Sequence, residues 1–185
     1  KEASEKKILR DVFKVGDAWF NTGDLIKTVD VGFAFGKEHY QFVDRVGDTF
    51  RWRSENVSTN EVGEILNGYK DVNMANVYGV KVPGCEGRAG MAAFSLEDFE
   101  GFNWLEFSEY VENNLPKYAR PIFIRIIQEM DTTGTFKLKK NELRDDAFNI
   151  NKVEDKVFCL KPSSNIYERL DGNWLDKINS EEAGY

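Results

Sequence analysis

The segment PIFIRII, residues 121–127, limits the folds open to this chain more than any other stretch. Between residues 122 and 127 only Arg125 is polar. A strand with one wet face alternates apolar and polar side chains, so a strand that is apolar on both faces belongs inside a sheet covered on both sides. Residues 104–115, just upstream, read as a helix closed by Pro116. The link LPKYARP between helix and strand is stiffened by its two prolines and reads as scaffolding.

The neighbouring pattern supplies the rest of such a sheet. Residues 72–82 are β-rich, PGCEGR is a turn, and residues 89–94 return, which predicts a hairpin. Ser58 and Glu61 have capping-box spacing and open a helix that turns Val62, Ile65 and Leu66 inward and stops at Gly68. Residues 49–52 form a strand, residues 139–146 a short helix, and residues 157–160 and 166–170 a terminal hairpin or edge pair. Near the start, Ser4 is expected to cap a helix in which Ile8, Leu9, Val12 and Phe13 share a face, ended by Gly16 and Asp17. Trp19-Phe20 and residues 25–29 follow as strands, with turns at residues 21–24 and at Gly36-Lys37.

The pattern changes between Asp44 and Asp48. The β-rich piece before it has too little apolar mass for a core of its own. The predicted fold class is α+β: a small mixed sheet with flanking helices, preceded by a β-rich remnant. The predicted divisions are residues 1–46 (β-rich piece), 47–150 (α+β domain) and 151–185 (tail with an edge hairpin and a short helix).

Composition narrows the partners. The chain of 185 residues is 41% hydrophobic and 14% aromatic, which is globular. A net charge of -7 repels phosphate backbones at long range, so nucleic acid is not expected as a partner. Cys85 and Cys159 stand far apart and read as reduced core thiols. No apolar run approaches a membrane span, and the charged first ten residues do not read as a signal peptide. A chain that opens on Lys1 reads as a piece of a longer protein.

Four segments are candidates for chemistry. In FNTGDL, a turn projects the Asp24 carboxylate, which suits two vicinal hydroxyls of a ribose; an ordinary solvated turn is the plain alternative. In QFVDRVGDTFRW, the fork of Arg45 suits a hydroxyl or phosphate, or else a surface ion pair with Asp44 or Asp48. Gly47 beside Asp48 gives the backbone freedom at the junction, or simply makes a turn. In DTTGTFKLKK, Lys137 follows a polar loop and could meet an anionic reacting group; a solvated basic turn with Lys139 and Lys140 is the alternative. The spacing is not that of a P-loop. His39 is the one histidine, so no zinc site is predicted, and no nucleophile elbow is present.

Taken together, NTGDL, DR about twenty residues on, LPKYARP and TGTFK resemble the ordered C-terminal motifs of adenylate-forming enzymes. FVDRVGDTFRWRSENVSTNEV and VYGVKVPGCEGRAGMAAF are similar to the fatty acid transport protein and very-long-chain acyl-CoA synthetase branch. The resemblance spans most of residues 16–140. It implies a two-step ligase that joins a fatty acid to ATP as acyl-adenylate and then to CoA as a thioester. Residues 1–46 would end a large N-terminal domain, and residues 47–150 would be its mobile C-terminal lid. The family's phosphate loop and acyl tunnel lie in parts of the large domain that this sequence does not include, so the chain alone is expected to be inactive. Mg2+ is expected with ATP, with ligands outside this chain.

The resemblance also implies roles. Asp24 and Arg45 would hold the ribose, and Phe42 would lie beside the adenine. Gly47 or Asp48 would be the pivot. Arg51, Trp52, Ser54, Glu55 and Asn56 would face the site and CoA in the thioester-forming pose. Lys137 would bridge acyl oxygen and α-phosphate during adenylation, with Lys139 the alternative alignment. Two positions depart from the family: Gly47 stands where Asp or Lys is usual, and Ser54 where the branch commonly has Gly. The implied location is cytoplasmic or the cytoplasmic face of a membrane, with bare strands open to self-association. A competing reading is a noncatalytic regulatory or interaction domain that keeps the lid fold.

Overall fold

The apolar strand of residues 122–127 lies at the centre of a five-stranded sheet in the computed structural model, which describes residue 5 and residues 7–33, 36–46, 48–128 and 141–185. Two compact units divide after Gly47: Lys1–Gly47 and Asp48–Tyr185.

In the first unit, β1 (Ile8–Arg10) pairs antiparallel with β2 (Ala18–Phe20), and β3 (Asp24–Val29) with β4 (His39–Arg45). The helix expected to carry Ile8, Leu9, Val12 and Phe13 does not extend over them: residues 8–10 are strand and residues 11–14 bend. Its predicted cap, Ser4, lies outside the described residues. The cause is Asp17, whose carboxylate accepts the backbone N–H groups of Val12, Phe13 and Lys14 at 2.8–3.2 Å and the indole N–H of Trp19 at 2.8 Å. Those N–H groups are diverted into a loop, and Asp11 enters it at a φ of 53°. A local carboxylate that collects backbone donors competes directly with a helix. His39 is half-buried at the start of β4, with Nδ1 3.2 Å from the Lys37 carbonyl.

The second unit opens with the hairpin β5 (Phe50–Trp52) and β6 (Glu55–Val57). The predicted N-cap then forms: the Ser58 hydroxyl accepts from the Glu61 N–H at 3.3 Å and opens α1 (Thr59–Asn67). Such a cap is worth about 1 kcal/mol. Val62 and Leu66 are buried, and the Gly68 N–H closes the helix onto the Glu64 and Ile65 carbonyls.

β7 (Val72–Val80) and β8 (Ala89–Leu96) form the predicted hairpin. β9 (Phe123–Ile126) lies parallel to β8. Parallel neighbours need a crossover, and α2 (Trp104–Asn114) lies between them in the chain. After α3 (Asn141–Asp146), β10 (Lys156–Leu160) joins β9 antiparallel and β11 (Tyr167–Arg169) forms the edge; α4 (Gly172–Asn179) follows. The sheet order is β11-β10-β9-β8-β7, so residues 151–185 supply two of its strands.

Both faces of β9 are covered, as its composition requires. On one, Phe107 of α2 meets Phe94 edge-on at 5.4 Å and Trp104 stacks on Phe158 at 3.8 Å. On the other, Phe148 stacks on Phe123 at 4.1 Å. The one polar residue of the strand, Arg125, is buried, with bonds to Asp155 (2.7 Å) and Asp146 (3.1 Å). Burial works against its charge, but the two carboxylates outweigh it and hold its pKa above the ordinary arginine value.

Candidate functional site

Two groups of side chains come forward, one in each unit. In the first unit, β3 and β4 pair Asp24 with Arg45 and Ile26 with Phe42. The register steps between Leu25 and Ile26, where Asp44 lies opposite Leu25 but Phe42 opposite Ile26, so β4 carries one residue more than β3 there. Residues 24 and 26 share a face of β3. The extra residue therefore brings Arg45 and Phe42, three apart, onto that same face, whereas plain alternation would separate them.

The turn before β3 is built by short polar side chains. Asn21 accepts from the Gly23 N–H at 2.9 Å, Thr22 from the Asp24 N–H at 3.2 Å, and Gly23 has a φ of 77°. The Arg45 Nε lies 3.4 Å from the Asp24 Oδ1. That is ion-pair range without hydrogen-bond geometry. The Asp24 Oδ1 is enclosed and accepts no hydrogen bond in the structure. The Arg45 guanidinium therefore supplies the opposing charge within the strand pair, without a hydrogen bond. The Arg45 guanidinium pairs with Asp24 and not with Asp44 or Asp48; toward Asp44 only its backbone N–H donates, at 2.8 Å.

In the second unit, the β5–β6 hairpin turns through Arg53 and Ser54, at φ values of 50° and 67°. Arg51 lies opposite Asn56, and Trp52 opposite Glu55. Arg51, Arg53, Ser54, Glu55 and Asn56 are exposed. Trp52 is not; it is 3% exposed, beside Phe50 at 5%. The resemblance set Trp52 toward a ligand together with Arg51, but in this structure the two lie on opposite faces of the hairpin. Neighbouring strand residues point to opposite faces, and Trp52 takes the core side with Phe50. Arg53, which sequence reading passed over, sits at the exposed tip with its guanidinium 6.0 Å from the Trp52 ring.

Glycines seat this hairpin. A Cβ on Gly79 would stand 2.5 Å from the Phe50 Cβ, and one on Gly90, its partner across β7–β8, 3.1 Å from the Phe50 Cζ. Gly87, at a φ of 87°, leaves no room for a Cβ beside the Arg51 carbonyl, which accepts the Arg88 N–H at 2.7 Å.

Asp48 opens the second unit, and its Oδ1 accepts from the Arg144 Nη2 at 2.9 Å. No spacing rule relates residues 96 apart, so Arg144 was invisible to sequence reading. Gly47, Lys137 and Lys139 lie outside the described residues. Among the described residues, no group of His, Cys, Asp and Glu side chains could hold a metal, and no helix is long and apolar enough to cross a membrane. Both cysteines are free.

Residues 61–137 match the AMP-binding enzyme C-terminal domain. Long-chain fatty acid transport protein 6 of Mus musculus is 41% identical over 97% of this chain and 28% of its own length. The medium/long-chain-fatty-acid–CoA ligase FadD6 of Mycobacterium tuberculosis is 43% identical over 85% of this chain and 25% of its own. The solved Mycobacterium tuberculosis fatty acyl CoA synthetase superposes with a TM-score of 0.56 at 25% identity, over 74% of this chain and 25% of that one. The chain thus spans about a quarter of the length of the relatives it matches. It carries the AMP-binding enzyme C-terminal domain and is homologous, over most of its length, to long-chain fatty acid transport proteins and fatty acyl-CoA ligases of the adenylate-forming family.

Proposed function

We propose that this chain works as the nucleotide-contacting end and lid of an ATP-dependent fatty acyl-CoA synthetase. The observation that carries the reading is the pairing of Asp24 with Arg45 and of Ile26 with Phe42, which sets Asp24, Arg45 and Phe42 on one face of the strand pair. A ribose offers two adjacent hydroxyl donors to that carboxylate, Arg45 has donors for a ribose oxygen, and Phe42, half exposed, offers a ring to the adenine. In the first half-reaction a fatty-acid carboxylate oxygen bonds to the α-phosphorus of ATP and pyrophosphate leaves. Lys137 would neutralise charge on the acyl and phosphate oxygens as that bond forms. In the second, the CoA sulfur bonds to the acyl carbon and AMP leaves. Arg51, Ser54, Glu55 and Asn56, joined by Arg53, would line the approach of CoA after the second unit turns. Mg2+ would accompany ATP on ligands outside this chain.

The test uses the longer protein that contains this chain. Acyl-CoA formation from a long-chain fatty acid, ATP and CoA is expected there and not from the 185 residues alone. Asp24→Ala is expected to raise the KM for ATP about tenfold or more, the loss of hydrogen bonds to a charged acceptor. Absence of both adenylation and thioester formation in the longer protein would favour the noncatalytic reading. An unchanged KM for ATP in Asp24→Ala would remove Asp24 from the ribose site.

A further inference from the structure

We propose that the loop joining β1 and β2 is a docking surface for an anionic lipid membrane, with Phe13 and Val15 entering the interface and Arg10 and Lys14 meeting the headgroups. Leu9 lies opposite Trp19 across the strand pair, and Phe13 meets the Trp19 ring edge-on at 5.2 Å, so the three make one apolar patch. All three are exposed, Phe13 at 78%; Val15, two residues on, is 97% exposed. Single exposed apolar side chains are ordinary, whereas a contiguous patch rimmed by polar residues marks an interaction site. An indole ring at the edge of such a patch suits the headgroup level of a bilayer, where one end of the ring is apolar and the other wet.

Charge favours lipid over a second copy of this chain. Lys7, Arg10 and Lys14 are exposed on the same hairpin. Its two acids are spent on amides within the loop: the Asp11 Oδ1 accepts the Gly16 N–H at 2.6 Å, and Asp17 accepts those of Val12, Phe13 and Lys14. The three cations are left to meet an anionic surface, although the chain as a whole carries a net charge of -7. The same bonds prepare the backbone. An N–H taken out of water into lipid must keep a partner. Those of Val12, Phe13, Lys14 and Gly16 have carboxylate partners, and the Asp17 N–H bonds the Lys14 carbonyl at 3.1 Å. The apolar tip therefore enters an interface with these donors already bonded. Such docking goes beyond the function proposed above and needs no ligase activity.

Co-sedimentation of the 185-residue chain with vesicles of phosphatidylcholine, with and without phosphatidylserine, tests the surface. The chain is expected to bind the mixed vesicles and to come off as salt rises. Phe13→Ser combined with Val15→Ser is expected to weaken that binding about tenfold or more. Lys14→Gln is expected to weaken it about fivefold on mixed vesicles and to change nothing on phosphatidylcholine alone. A spin-labelled lipid in the mixed vesicles is expected to broaden the amides of Phe13, Lys14 and Val15 of the unaltered chain more than those of β3 and β4. No binding to mixed vesicles, equal binding by the variants, or broadening spread evenly over the strands would each overturn the proposal. Self-association that the double change abolishes, without vesicle binding, would make a second copy the occupant and overturn it too. In the longer protein the double change is expected to lower vesicle binding and leave the Tm unchanged; a lower Tm with unchanged vesicle binding would place the loop inside that protein and overturn the proposal. A longer protein without ligase activity would refute the proposed function and leave the vesicle result standing.

Discussion

The Phe50 side chain occupies the space that a Cβ on Gly79 would need: the two carbons would stand 2.5 Å apart. Gly79 also leaves only 3.1 Å to the Arg88 Cβ. The β5–β6 hairpin, with its exposed polar face, is thereby seated on the main sheet. Gly79→Ala is expected to destabilise the second unit by about 1–3 kcal/mol, the range for overpacking a filled core. Chemical denaturation reads this directly. A midpoint unchanged from wild type would mean that Phe50 has room to move.

Ser54 is strained where Arg53-Ser54 turns the hairpin, because both residues have positive φ. Two-residue turns of this kind prefer Asn-Gly. A left-handed conformation costs an L-residue roughly 1–2 kcal/mol, and glycine's added chain freedom takes back roughly 0.5–1 kcal/mol. Ser54→Gly is therefore expected to stabilise the unit, by up to about 1.5 kcal/mol. A lower denaturation midpoint would show that the Ser54 side chain contributes more than its strain costs.

Asp17 organises the loop from Val12 to Trp19, and the Trp19 indole bond, ahead of the backbone bonds, holds its pKa below the ordinary 3.8. A depressed folded pKa gives stability that is present above the unfolded value and lost as pH falls through the folded one. The Trp19 indole N–H resonance and the amides of Val12, Phe13 and Lys14 are expected to shift together as pH falls, with a midpoint below 3.8. A midpoint above that value would contradict the bonding around Asp17.

Lys137→Ala, in the longer protein, is expected to slow adenylation roughly a hundredfold or more, the typical cost of one preorganised transition-state contact. Thioester formation from preformed acyl-adenylate and CoA should change far less, because the function proposed above assigns that step to the hairpin face and not to Lys137. Equal slowing of both steps would refute the division of labour. Slowing of the first step by Lys139→Ala, and by Lys137→Ala not at all, would shift the alignment by two residues.

The local signals of the second unit were legible in the sequence because neighbouring residues carry them. The Ser58–Glu61 cap, the hairpin around PGCEGR, and the doubly apolar strand at residues 122–127 each depend on short-range spacing or on burial of a contiguous run, and each formed as spacing predicts. The motifs NTGDL, DR, LPKYARP and TGTFK were enough to point to the family. Local signals failed in the loop from Val12 to Trp19, where an apolar helical period met a carboxylate able to collect the same N–H groups.

Tertiary structure decided what depends on register and on distant chain. Strand alternation marks Phe50 and Trp52 as one side and Arg51 as the other, but only docking on Gly79, Gly87 and Gly90 chose which side is buried. The extra residue in β4 put Phe42 on the face of Asp24 and Arg45, against the plain two-residue period. Arg144 met Asp48 across 96 residues because the fold returns α3 to the start of the second unit. Sequence spacing carries periodicity within an element; the pairing of charges between elements exists only once the sheet has brought them to the same place.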